Sequence, residues 1–206
     1  MSEQKLRILN EALGRLGSSP LFALDEETDR ARTCMLVYDT EVDALFGAHR
    51  WNFAQRTVRL DRHDETPKNG WKFAFGLPGE RVGLPVRVLA NPKHPDMPLR
   101  EFAAEGDRIY AQANEIYATF VMRVDPAQWL PSFRRCAVVA LAAALAMPIT
   151  EDRNTAEQYT VDAFGTPSEG GRGGLLGRAI DEDVRGSPGP APAYASDPLT
   201  EARFGG

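Results

Sequence analysis

Asp61, Asp64 and Glu65 place three carboxylates in one short polar stretch, raw material for a general acid/base pair or a hard-cation site. Glycoside hydrolysis uses paired carboxylates, so a carboxylate-based cell-wall glycan hydrolase is the enzymatic reading of this stretch. The spacing is not that of an EF-hand, and no apolar run beside it would raise a carboxyl pKa. Solvated turn charges are therefore expected. His49, His63 and His94 stand apart, with no His or Cys at metal-ligand spacing. Cys34 and Cys136 fall on apolar helical faces far apart and read as buried free thiols. The tract GGRGGLLG at 170–177 has the look of a phosphate cradle but lacks a P-loop lysine, follows a helix and does not match GxGxxG. Ser18, Ser19 and Ser168 have no GxSxG context. No catalytic residue, cofactor or metal is assigned, and a non-enzymatic protein is expected.

Charge narrows the classes further. Arginine outnumbers lysine 20 to 4, yet the net charge is −5 and the pI about 5.3. An acidic chain is a poor candidate for coating nucleic acid by neutralising phosphates, which weakens the second alternative, a small DNA-binding module. Arg56, Arg59 and Arg62 could lie along the first strand as bidentate donors across an interface, or as a phosphate-contacting patch. With 43% hydrophobic and 26% charged residues, the composition suits a folded domain with a core. The N-terminus has no signal-peptide pattern, and the apolar run CAVVALAAALAMP is short and alanine-rich for a bilayer span. A soluble protein made in the cytoplasm, without a membrane partner, is expected.

The elements that must position these residues follow from periodicity. Leu6, Leu9, Leu13 and Leu16 recur at helical spacing, predicting a helix over 3–17. A second helix over 26–48, capped by Asp25, carries Ala31, Cys34, Met35, Tyr38, Val42, Leu45 and Phe46. From residue 53 the period changes to two, and strands follow at 53–60, 71–77, 86–90, 100–104, 108–112 and 116–123, with a hairpin at Glu105-Gly106-Asp107. Asp125-Pro126 begins a third helix, 126–147, which Pro148 is expected to end, and a fourth spans 151–164 before Gly165. The fold class is α+β: a helical bundle of N- and C-terminal helices with an inserted small antiparallel β-sheet of five or six strands. Trp51, Phe53, Trp71, Phe73 and Phe75 form the expected structural hub where helices meet sheet, as core aromatics and not a ligand site.

Residues 1–165 thus read as one domain and 166–206 as an extended Gly/Pro-rich tail. Residues 165–206 hold ten glycines and five prolines, a composition that cannot fold alone. The tail retains Leu175, Leu176, Ile180, Tyr194, Leu199 and Phe204 as spaced apolar anchors, expected to order on a partner. Asp181, Glu182 and Asp183 read as a solvating run.

Five boxes in a fixed order carry a resemblance. They are Trp51-Asn52-Phe53-Ala54-x-Arg56; Gly70-Trp71 with Leu77-Pro78; Glu105-Gly106 before a strand; Asp125-Pro126 leading to an Ala/Leu-rich helix; and the closing Pro148-Ile149-Thr150. In this order, over residues 5–165, the sequence resembles the head-to-tail adaptors of tailed bacteriophages, the tail tubular protein A or head-completion connectors found below the portal. The Pro-rich loop at 91–98 and the tail depart from that pattern. The resemblance implies a structural virion protein at the head-tail junction, assembled in the host cytoplasm. It implies a ring, usually dodecameric, that binds the portal protein, a tail or nozzle protein and itself. DNA passes through during ejection without sequence-specific binding. A negative channel wall would let DNA slide.

Overall fold

The computed structural model describes residues 2–186, and the fold is α+β. Helices α1 (Ser2–Arg15) and α2 (Asp29–Ala48) open the chain. Thr28, not Asp25, caps α2: its hydroxyl accepts from Ala31 N at 3.1 Å, so the helix starts later than the acidic run suggested. Asn10 locks the connecting loop by donating to Leu21 O and accepting from Leu21 N.

After the short 3-10 turn Asn52–Ala54 come six strands: β1 (Gln55–Arg59), β2 (Phe73–Gly76), β3 (Arg81–Leu89), β4 (Phe102–Glu105), β5 (Arg108–Ala111) and β6 (Tyr117–Met122). The single expected sheet is in fact two antiparallel sheets of three strands, ordered β1-β6-β3 and β2-β5-β4. The physical reason lies in β6. Its run of four buried residues, Ala118 to Val121, is apolar on both faces but for Thr119, which bonds Thr57 at 2.8 Å. Ala118 and Phe120 face a small core shared with Phe75 and Ile109 of the second sheet, while Val121 joins the helical core. One strand therefore partitions two cores. β3 begins five residues earlier than its periodicity indicated because a bulge at Gly83, Leu84 and Pro85 interrupts an edge strand without ending it.

The chain then returns to helix. Pro126–Gln128 is only a 3-10 turn, and α3 (Pro131–Thr150) starts later than 126 because Pro131 forces Leu130 into extended backbone. Pro148 does not end α3. It sits in the last, exposed turn, where losing one backbone donor costs little, and the helix closes at Glu151 in the left-handed region. α3 is long and apolar enough to cross a membrane by length and composition, with mean hydropathy 1.5. Here it packs among α1, α2, α4 (Arg153–Phe164) and a fifth helix, with residues 136–143 buried without a break. Its alanines let those neighbours approach closely.

That fifth helix, α5 (Gly174–Arg185), corrects the extended-tail boundary at 166. Leu176, Ala179 and Asp183 repeat at helical spacing and are buried, and Leu175 and Ile180 pack against the same core. The glycines before them make a compact turn. A Cβ on Gly174 would lie 2.5 Å from Asp162 O, and one on Gly173 would lie 2.4 Å from the Glu169 carboxylate. Only glycine lets α5 fold back so closely on α4.

Gly174, at φ +55°, meets backbone that cannot move aside. Gly174→Ala should cost roughly 2–4 kcal/mol and lower Tm by about 5–15 °C in thermal unfolding. Gly170→Ala, with open space around its Cβ but φ +61°, should cost no more than about 1–2 kcal/mol.

Candidate functional site

The expected aromatic hub divides between the two cores. Trp51 is fully buried and donates its indole N–H to Leu45 O at 2.8 Å. It stacks edge-on to Phe133, with ring centroids 4.8 Å apart, and Phe53, Phe46 and Trp129 complete the cluster at 5.0–6.2 Å. Edge-to-face pairs of this kind add about 0.5–1.5 kcal/mol each beyond their burial. Phe73 and Phe75 belong instead to the core between the sheets, and Trp71 is half-buried outside both. Alternation along two separate strands could not say which core each aromatic enters.

The cluster is closed from a distant part of the chain. Nothing local caps the turn Asn52–Ala54, since its N-cap residue is Trp51. Asp183 does so from α5: Asn52 N donates to Oδ2 at 2.8 Å, Phe53 N donates to Oδ1 at 3.2 Å, and the Asn52 side-chain amide donates to Asp183 O at 3.3 Å. Glu182 does the same for α3, whose N-cap Leu130 has no side-chain acceptor; Ser132 N donates to the Glu182 carboxylate at 3.3 Å. Two of the three acids read as a solvating run are thus caps for other elements. Spacing held the signal: Leu176, Ala179 and Asp183 share one helical face.

His49 faces this lock, its Nε2 3.6 Å from Asp183 Oδ2 and its ring against Trp51. Burial pushes its pKa below the ordinary value; the Asp183 carboxylate opposes that shift, and Arg172 and Arg50 add to it. His63 and His94 are exposed and stand apart from it. No group of three or more His, Cys, Asp or Glu residues able to hold a metal occurs among the described residues. Cys34 and Cys136 are buried free thiols; burial pushes Cys136 up to about 12, leaving no thiolate to react.

Asp61, Asp64 and Glu65 are exposed, with no described side chain donating to their carboxylates. Arg56 donates to Phe53 O and Gln128, Arg59 pairs with Glu115 at 2.9 Å, and Arg62 bonds Asn114 and lies over the Phe73 ring. The three arginines bind their own chain. Of the tail anchors, Leu175, Leu176 and Ile180 fold onto the chain's own core and are not standing free for a partner. Tyr194, Leu199 and Phe204 lie outside the described residues.

Two concavities stand out. One, of about 660 Å³, lies where Arg123 bridges Asp39 at 2.7 Å and Asp43 at 3.1 Å, beside Lys5, Tyr38 and Trp129. It ties the end of β6 to α2. The other, of about 440 Å³, is lined by Arg15, Arg135 and Arg178, and sequence reasoning missed it because those residues belong to three helices.

Asp183→Ala strands two part-buried backbone donors, a loss of about 1–3 kcal/mol that urea unfolding followed by tryptophan fluorescence would measure. His49, with its folded pKa depressed, contributes stability that is complete above the unfolded value of 6.5 and is lost as pH falls through the lower folded value. Stability measured from pH 7.5 to 5 should fall in the native chain, and His49→Gln should flatten that part of the slope.

No family model matches this sequence, and no curated protein matches it.

Proposed function

We propose that this protein is a non-enzymatic structural component of a tailed-phage virion, a head-to-tail adaptor that forms a ring joining the portal to the tail and surrounds the passing DNA. The observation that carries the reading is the ordered set of boxes along residues 5–165 that resembles those adaptors. What each box does is consistent with a building block. Trp51, Asn52 and Phe53 receive the Asp183 lock, Glu105-Gly106 turns a hairpin, and Asp125 caps the turn that delivers Trp129 to the aromatic cluster. The helical body with a β excursion agrees with the same reading. Its partners are the portal protein, a tail or nozzle protein and further copies of itself, with no cofactor. A glycan hydrolase at Asp61, Asp64 and Glu65 has no comparable support, because those carboxylates lie open on the surface. A DNA-binding module would have to work from a chain of net charge −5.

The test is mass photometry of the full chain mixed with its portal. A single step in mass corresponding to a closed ring of about twelve copies is expected. Monomer persisting beside free portal at micromolar concentrations would refute the proposal.

A further inference from the structure

We infer that the pocket lined by Arg15, Arg135 and Arg178 receives the acidic loop around Asp61, Asp64 and Glu65 of a neighbouring copy of this chain. The inference rests on the ring reading above and names the patches that would meet.

The three arginines come from α1, α3 and α5 and share one concavity floored by Val139 and Leu175. Among the described residues, none of their guanidinium groups has a hydrogen bond or ion pair. Two carboxylates line the same pocket, but Glu169 is spent on the Thr166 N–H and hydroxyl, and Asp162 reaches no arginine within salt-bridge distance. Three arginines against the ionised Asp162 and Glu169 leave the hollow one positive charge in excess, and an incoming carboxylate would give the guanidinium forks the partners they lack.

This chain carries a matching anion. Asp61, Asp64 and Glu65 are exposed and accept from no described side chain, while the intervening Arg62 is turned onto Asn114 and the Phe73 ring. The loop follows β1, whose five residues carry it roughly 17 Å from the aromatic cluster, whereas the pocket lies on the helical bundle. One chain's loop therefore does not fill its own pocket. Pairing two different patches between copies is a heterologous contact, the kind that closes into a ring. Arginine forks suit carboxylates, and rim pairs of this sort set register and association rate. The helical bundle of one copy would then face the β excursion of the next.

Charge reversal tests the pairing in the full chain. Arg178→Glu and Asp64→Arg should each weaken ring formation by roughly tenfold or more in mass photometry at low salt, and the double variant should recover most of the loss. Both positions are exposed, and circular dichroism would verify that each variant folds. Independently, Glu65→Cys with Arg178→Cys should give a ladder of disulfide-linked multimers on a non-reducing gel, where either single variant stops at dimers. Rings that form undiminished in both single reversals, or a double variant no better than either, would overturn the pairing and leave the ring reading intact. Millimolar inorganic phosphate that occupies the pocket without weakening assembly would overturn it too, assigning the pocket to a free oxyanion. Wild-type chain that forms no ring even with portal would refute the ring reading itself, and the pairing with it.

Discussion

A buried carboxylate needs donors, and a helical turn that begins on tryptophan needs an acceptor; Asp183 and the Asn52–Ala54 turn satisfy each other. Much of the helical body depends on that exchange. Leu176 and Ala179 bury against it, Leu175 and Ile180 pack on its flanks, and Glu182 and Asp183 cap neighbouring elements, so several contacts together hold α5 down. In return, α5 fixes the turn that places Trp51 and Phe53 against Phe133. The chain's late segment thus completes a core that its early segments leave open.

The β excursion is joined to this body at few places, each with a clear physical role. β6 presents Val121 to the helices and Phe120 to the inter-sheet core, so the two cores share a wall. Arg123, just past β6, holds α2 through Asp39 and Asp43, and Lys5 of α1 joins the same carboxylate of Asp39. These pairs are partly exposed and individually weak, but a network of one arginine, one lysine and two aspartates also fixes direction. Burial raises the Tyr38 pKa to about 12, so the phenol beneath Lys5 and Arg123 stays neutral, a ring for both cations to rest against.

Much of the architecture was legible from periodicity. The leucine stripe of α1, the buried face of α2, the hairpin at Gly106 and the return to helix after residue 125 all follow from spacing and turn chemistry. The division into two sheets was less visible, although the doubly apolar run of β6 carried the hint. Composition misled at residues 165–186. Ten glycines in 165–206 look the same whether they serve a free linker or a turn so tight that no Cβ fits, and only the stripe through Leu176, Ala179 and Asp183 tells the two apart. The candidate pocket was illegible for another reason: Arg15, Arg135 and Arg178 are distant in sequence, and no local pattern reports convergence in space.

Helix α5 belongs to the folded block and closes it through Asp183. Native-state hydrogen exchange measures this directly. The amides of Asn52, Phe53 and the inner turns of α5 should exchange together, with protection approaching that of α3. If the α5 amides exchanged at rates near those of an unfolded chain while Asn52 and Phe53 stayed protected, the lock would not be what closes the core.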